Sequence, residues 1–61
     1  MKVYEVHEGF GKRLRLYEID HSRIPAKKFI SVVTGMAEAR RLARLITTDG
    51  STEVKLIRLE Q

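Results

Sequence analysis

The chain has no cysteine, no tryptophan, a single proline and only four aromatic residues among its 61 positions. Without cysteine there is no disulfide framework, no thiol nucleophile and no thiolate metal site. Only two histidines are present, His7 and His21, and neither has a carboxylate or second ligand at a metal-like spacing, so no metal site and no cofactor are expected. No apolar run approaches the roughly 20 residues that span a bilayer. The opening Met1–Val6 alternates and carries Glu5, which does not suit a signal peptide. A cytoplasmic, membrane-free protein is the expectation.

Catalytic signals are equally sparse. Ser22, Ser31 and Thr34 offer hydroxyls, but no local motif presents any of them as a nucleophile. Gly9-Phe10-Gly11 resembles the start of a phosphate loop, yet no helix opens directly after it, so a hairpin turn is expected. His7 and His21 are the candidates for acid/base chemistry, and they read as solvated structural residues. A domain this small has little room to keep water away from a preorganised site. An enzyme is not expected.

What is there describes a small basic α+β domain. Hydrophobic residues make up 43% and charged residues 33%, the balance of a folded chain. A domain of this length buries only about 60% of the surface its unfolded chain exposes, so its stability margin is thin. Oligomerisation or a partner is one way to widen it. The net charge is +4, and it is unevenly spread. Residues 1–28 hold seven Lys/Arg against four Asp/Glu, while residues 29–61 hold five against four. Such a surplus suits polyanions and acidic protein surfaces, as well as solubility.

Residue patterns give the elements. Val3, Tyr4 and Val6 mark a half-exposed first strand over 2–8. Lys12 to Ile19 forms the return strand, with Leu14 and Leu16 on one face and Arg13 and Arg15 on the other. Tyr17 and Ile19 then fall on the arginine parity, which a bulge near Leu16–Tyr17 explains, as does a strand covered partly on both faces. Asp20 to Lys28 is irregular around Pro25, and Phe29 to Val33 resumes a strand. A helix from Met36 to about Thr47 buries Met36, Ala39, Leu42, Ala43 and Ile46, with Arg40, Arg41 and Arg44 outward. Gly35 is its expected N-cap, with Glu38 at N3, and Asp49-Gly50 its terminal turn. Glu53 to Leu59 is the last strand. The predicted fold is a single α+β domain over 1–61, an antiparallel three- to four-stranded sheet packed on one helix in the order βββαβ.

One helix covers one face of such a sheet, yet Ile30, Val32, Ile57 and Leu59 put apolar residues on both strand parities. The second face therefore needs the irregular loop, a second copy in a homodimer, or a partner to close it. The candidate binding residues are Lys12, Arg13 and Arg15 on the hairpin, Arg23, Lys27 and Lys28 on the loop, and Arg40, Arg41 and Arg44 on the helix. Phe10, between two glycines at the hairpin tip, is either tucked onto the core or exposed as an anchor. The only four aromatics, Tyr4, Phe10, Tyr17 and Phe29, lack the paired stacking pattern of single-strand RNA readers.

Two resemblances follow from these residues. Thr34-Gly35-Met36-Ala37-Glu38-Ala39-Arg40-Arg41-Leu42-Ala43 and Val54-Lys55-Leu56-Ile57-Arg58-Leu59 resemble the strand–helix–strand layout of small phage-encoded inhibitors. These are the type I-F anti-CRISPR proteins and the phage inhibitor of bacterial RNA polymerase. That resemblance, over roughly half the chain, implies a non-enzymatic protein that occludes a surface of a host protein or protein–nucleic acid complex. The three basic strands followed by a helix are also similar to the arm-type DNA-binding domains of phage integrases and to AP2 domains. That likeness implies direct nucleic acid contact through the sheet face carrying Arg13 and Arg15. The expectation is thus an inhibitor-like binding protein, with a sheet-face DNA-binding module as the alternative.

Overall fold

The first three elements are strands that fold on one another by short connections, and the fourth is the helix that turns the chain back across them. The computed structural model describes residues 2–9, 11, 13–47 and 50–57. Phe10, Lys12, Asp49 and Leu59 thus lie outside the described residues. The elements are β1 (Lys2–Glu8), β2 (Leu14–Ile19), β3 (Lys27–Val33), α1 (Met36–Ile46) and β4 (Thr52–Ile57). The βββαβ order matches the sequence pattern.

The sheet itself is mixed rather than antiparallel. Its strand order is β3-β2-β1-β4, with β1–β2 and β2–β3 antiparallel and β1–β4 parallel. The reason is the helical crossover. A chain that leaves β3, runs back through a helix and re-enters the sheet must start its next strand at the end where β3 began. β4 therefore runs with β3, and β3 already runs with β1 because both oppose β2. Backbone closure helps seat β4, since the Lys2 N–H donates to the Ser51 carbonyl at 3.1 Å.

The β1–β2 hairpin closes with the Gly9 N–H on the Arg13 carbonyl at 2.9 Å. Gly11 adopts φ +74°, a left-handed conformation that favours glycine. The pairing register does shift between Leu16 and Tyr17, where a bulge was one expectation, but the extra residue is on β3. β2 alternates without a break, so Tyr17 and Ile19 simply share the Arg15 face. Leu16 pairs with Ser31 but Tyr17 pairs with Phe29, so Ile30 is the extra residue on β3. That single insertion turns Phe29 to the opposite face from Val33 while Ile30 packs against the core.

The core is thin. Tyr4, Val6, Leu16, Val33, Ala39 and Ala43 are fully or almost fully buried, with Leu14, Ile30, Met36, Leu42 and Val54 packed against them. The two alanines let α1 approach the sheet closely. Ile46, expected in the buried stripe, is exposed instead, because it sits in the last turn of the helix. Gly35 is the N-cap in extended geometry. Glu38 reaches back past it, accepting from the Thr34 N–H at 3.3 Å and the Thr34 hydroxyl at 3.2 Å.

The Cα trace measures 35 × 26 × 15 Å, thick enough for one sheet and one helix. A helix about 10 Å across spans only about two strand spacings, so much of the sheet is left bare. The 20–26 loop does not cover the second face. It folds on itself through the Asp20 N–H to the Ala26 carbonyl (2.8 Å) and the Arg23 N–H to the Asp20 carbonyl (3.1 Å). Phe29 and Val32 consequently stay 51% and 52% exposed. Among the described residues, no helix is long and apolar enough to cross a membrane.

Candidate functional site: the open face of the sheet

Strand pairing decides which side chains share the face away from α1. Tyr4, Val6, Leu16 and Val33 point to the helix, so Val3, Glu5, His7, Arg15, Tyr17 and Ile19 point away from it. On β3 the partners of Arg15, Tyr17 and Ile19 are Val32, Phe29 and Lys27. Glu53, Lys55 and Ile57 complete the face on β4, opposite Val3, Glu5 and His7.

A row of rings crosses this face. His7 meets Tyr17 edge-on with centroids 4.9 Å apart, and Tyr17 meets Phe29 edge-on at 5.7 Å. The Lys27 ammonium lies 4.9 Å from the Tyr17 ring centre. Arg15, Tyr17, Phe29 and Val32 line one shallow depression. Tyr17 is held from three sides, whereas half of Phe29 is free to solvent.

Charge divides the face in two. β2 and β3 contribute Arg15 and Lys27 to it and no carboxylate; exposed Arg13 lies on the same parity just before β2. β1 and β4 contribute Glu5 and Glu53. Both are engaged locally, Glu5 with His7 Nε2 at 2.8 Å and Glu53 with Lys55 at 3.5 Å. His7 therefore has a carboxylate partner after all, since residues two apart on a strand share a face. With its ring against Tyr17, the pair braces the aromatic row.

The other sequence candidates scatter. Arg23 is not free: it pairs with Glu18 at 2.7 Å and Asp20 at 3.2 Å, latching the loop to β2. Glu18 also lies 3.8 Å from Lys2. Asp20 is held below the ordinary aspartate range, first by the Ser22 hydroxyl at 2.6 Å and then by the Ser22 N–H at 3.0 Å, with Arg23 and Lys2 adding their charge. Lys28 pairs opposite Glu18, on the helix side of the edge strand. Arg40, Arg41 and Arg44 are exposed on α1, across the molecule from the open face. Arg40 and Arg44 flank a groove with Ser51 and Thr52, from which Arg41 is absent.

Tyr17, Phe29 and Val32 were not among the candidate binding residues, and His7 was weighed only for acid/base chemistry. Tyr17 on the Arg15 parity was the available signal; its pairing with Phe29 depends on the bulge. The aromatic pair that looked absent along the chain is made across strands. Among the described residues, no group of three or more His, Cys, Asp or Glu is placed to hold a metal ion. No family model, curated protein or solved structure matches the chain.

Proposed function

We propose that this protein is a non-catalytic binding domain that engages nucleic acid through the open face of its sheet. The observation that carries this reading is the β2–β3 half of the face, where exposed Phe29 and Val32 lie among Arg13, Arg15 and Lys27 with no carboxylate from either strand. A polyanion satisfies the cations, and flat bases suit the ring. A homodimer through this half would bring two cationic surfaces without carboxylates together, so a foreign anionic partner fits the charge better.

Fluorescence anisotropy of labelled oligonucleotides over a salt series tests it. Three phosphate contacts give a log–log salt slope of magnitude about 2–3. Kd below about 1 μM at near-physiological salt supports the reading, and absence of binding there rejects it.

A second reading has its own observation. Ile24 is fully exposed at the tip of the latched loop, and Arg23, Lys27 and Lys28 line the same shallow depression. An apolar anchor beside lysines suits an acidic protein surface, although Arg23 there is already paired with Glu18 and Asp20. An inhibitor of the phage type, occluding a host protein, would dock in this way. In that case Ile24→Ser abolishes complex formation, while oligonucleotides do not bind.

A further inference from the structure

The open face also bears on the form of the nucleic acid, an inference that rests on the reading just proposed. In a duplex, bases are stacked on one another and offer only their edges in the grooves. A face built to read edges needs long polar side chains with donors and acceptors. The β3 edge of this face instead presents a ring and a branched aliphatic side chain, Phe29 and Val32, each about half exposed. Burying them against phosphate and groove water gains little. Against the face of an unpaired base, both the apolar area and the ring are used.

The arrangement around the ring agrees. Tyr17 packs against His7, Phe29 and the Lys27 ammonium, so the platform is already formed. Arg15 and Lys27 bracket it, paired with Val32 and Ile19 respectively. Arg15 and Ile19 are four residues apart on β2, which puts the backbone positions of Arg15 and Lys27 about 13 Å apart along the strand direction, with the Lys27 ammonium leaning back over Tyr17. A nucleic acid backbone passing between the two cations lays its bases across Phe29.

We infer that the open face binds single-stranded nucleic acid, with an unpaired base stacked on Phe29 beside Tyr17 and phosphates held by Arg15 and Lys27. The chemistry recognised is an unstacked base on a phosphodiester chain, common to DNA and RNA. Nothing on this face is tied to a 2′-hydroxyl, so the two are compared in the test.

The test measures anisotropy with a mixed-sequence DNA 12-mer, its RNA equivalent and the matching DNA duplex, at near-physiological salt. Single strands should bind at least about tenfold tighter than the duplex, and Phe29→Ala should cost the single strands about tenfold or more while hardly moving the duplex. Phe29→Trp keeps the aromatic face, should retain affinity, and gives this tryptophan-free chain a reporter that is quenched on stacking. Arg15→Ala should lower the salt slope by about 1 on either form. Equal or tighter duplex binding, lost in Arg15→Ala but indifferent to Phe29→Ala, overturns the single-strand inference and leaves nucleic acid binding standing. No binding to any of the three overturns both.

Discussion

The Tyr4 hydroxyl lies 2.6 Å from Thr47 Oγ1, joining the middle of the first strand to the C-cap residue of the helix. Tyr4 is fully buried, so its ring supplies core volume while its polar end reaches the edge of the helix–sheet contact. Tyr4→Phe keeps the volume and removes one hydrogen bond. The expected cost is about 0.5–1.5 kcal/mol, or roughly 4–8 °C in Tm per kcal/mol for a domain this small. An unchanged melting temperature would show that the hydroxyl contact is unimportant.

Close approach of α1 rests on Ala39 and Ala43, neither of which retains exposed surface. Ala43→Leu inserts three carbons where none fit. It should destabilise by about 1–3 kcal/mol through overpacking, although leucine is almost as good a helix former as alanine. Leu45→Ala, at a position 70% exposed, serves as the control and should lie within about 0.5 kcal/mol of the parent. Thermal melts of the two variants check the order.

Phe29→Ala should leave the fold nearly intact. The ring is half exposed and its main contact is the edge of Tyr17, so the loss is about 1 kcal/mol or less. A melt that drops by tens of degrees would mean that Phe29 holds the sheet together rather than presenting a surface.

Asp20 makes the loop sensitive to acid. Its carboxyl is held below the ordinary aspartate value of 3.8, chiefly by the Ser22 hydroxyl. A depressed folded-state pKa stabilises the fold above the unfolded value, and that contribution is lost as pH falls through the folded one. The Ser22 amide resonance should therefore titrate with a midpoint below 3.8, shifting upward in Ser22→Ala. A midpoint at or above 3.8 in the parent protein would contradict the hydrogen-bonded turn.

Much of the frame was legible in the residues because it depends on local pattern. The 3.6-residue spacing of Met36, Ala39, Leu42 and Ala43 placed the helix, and Gly9 with Gly11 placed the hairpin. Tyr17 and Ile19 on the Arg15 parity marked an apolar second face, whereas the bulge lies on β3 and left no sign in the β2 pattern. The direction of β4 was less visible, because an isolated strand carries no sign of its orientation; the crossover geometry supplies it. The aromatic platform was hidden for a related reason. By simple alternation Phe29 shares a face with Ser31 and Val33, and only the extra residue at Ile30 sends it to the other side. Charge counting likewise could not tell Arg15, which is exposed on the open face, from Arg23, which is spent on Glu18 and Asp20.

The central claim is that the open face, rather than the arginine-bearing helix, is the working surface. Titrating isotope-labelled protein with a single-stranded oligonucleotide and following amide and aromatic resonances tests it most directly. The account predicts that the largest shifts fall on Arg15, Tyr17, Phe29 and Val32, with Arg40, Arg41 and Arg44 nearly still. Shifts concentrated on those three helix arginines, with the open face unmoved, would contradict it.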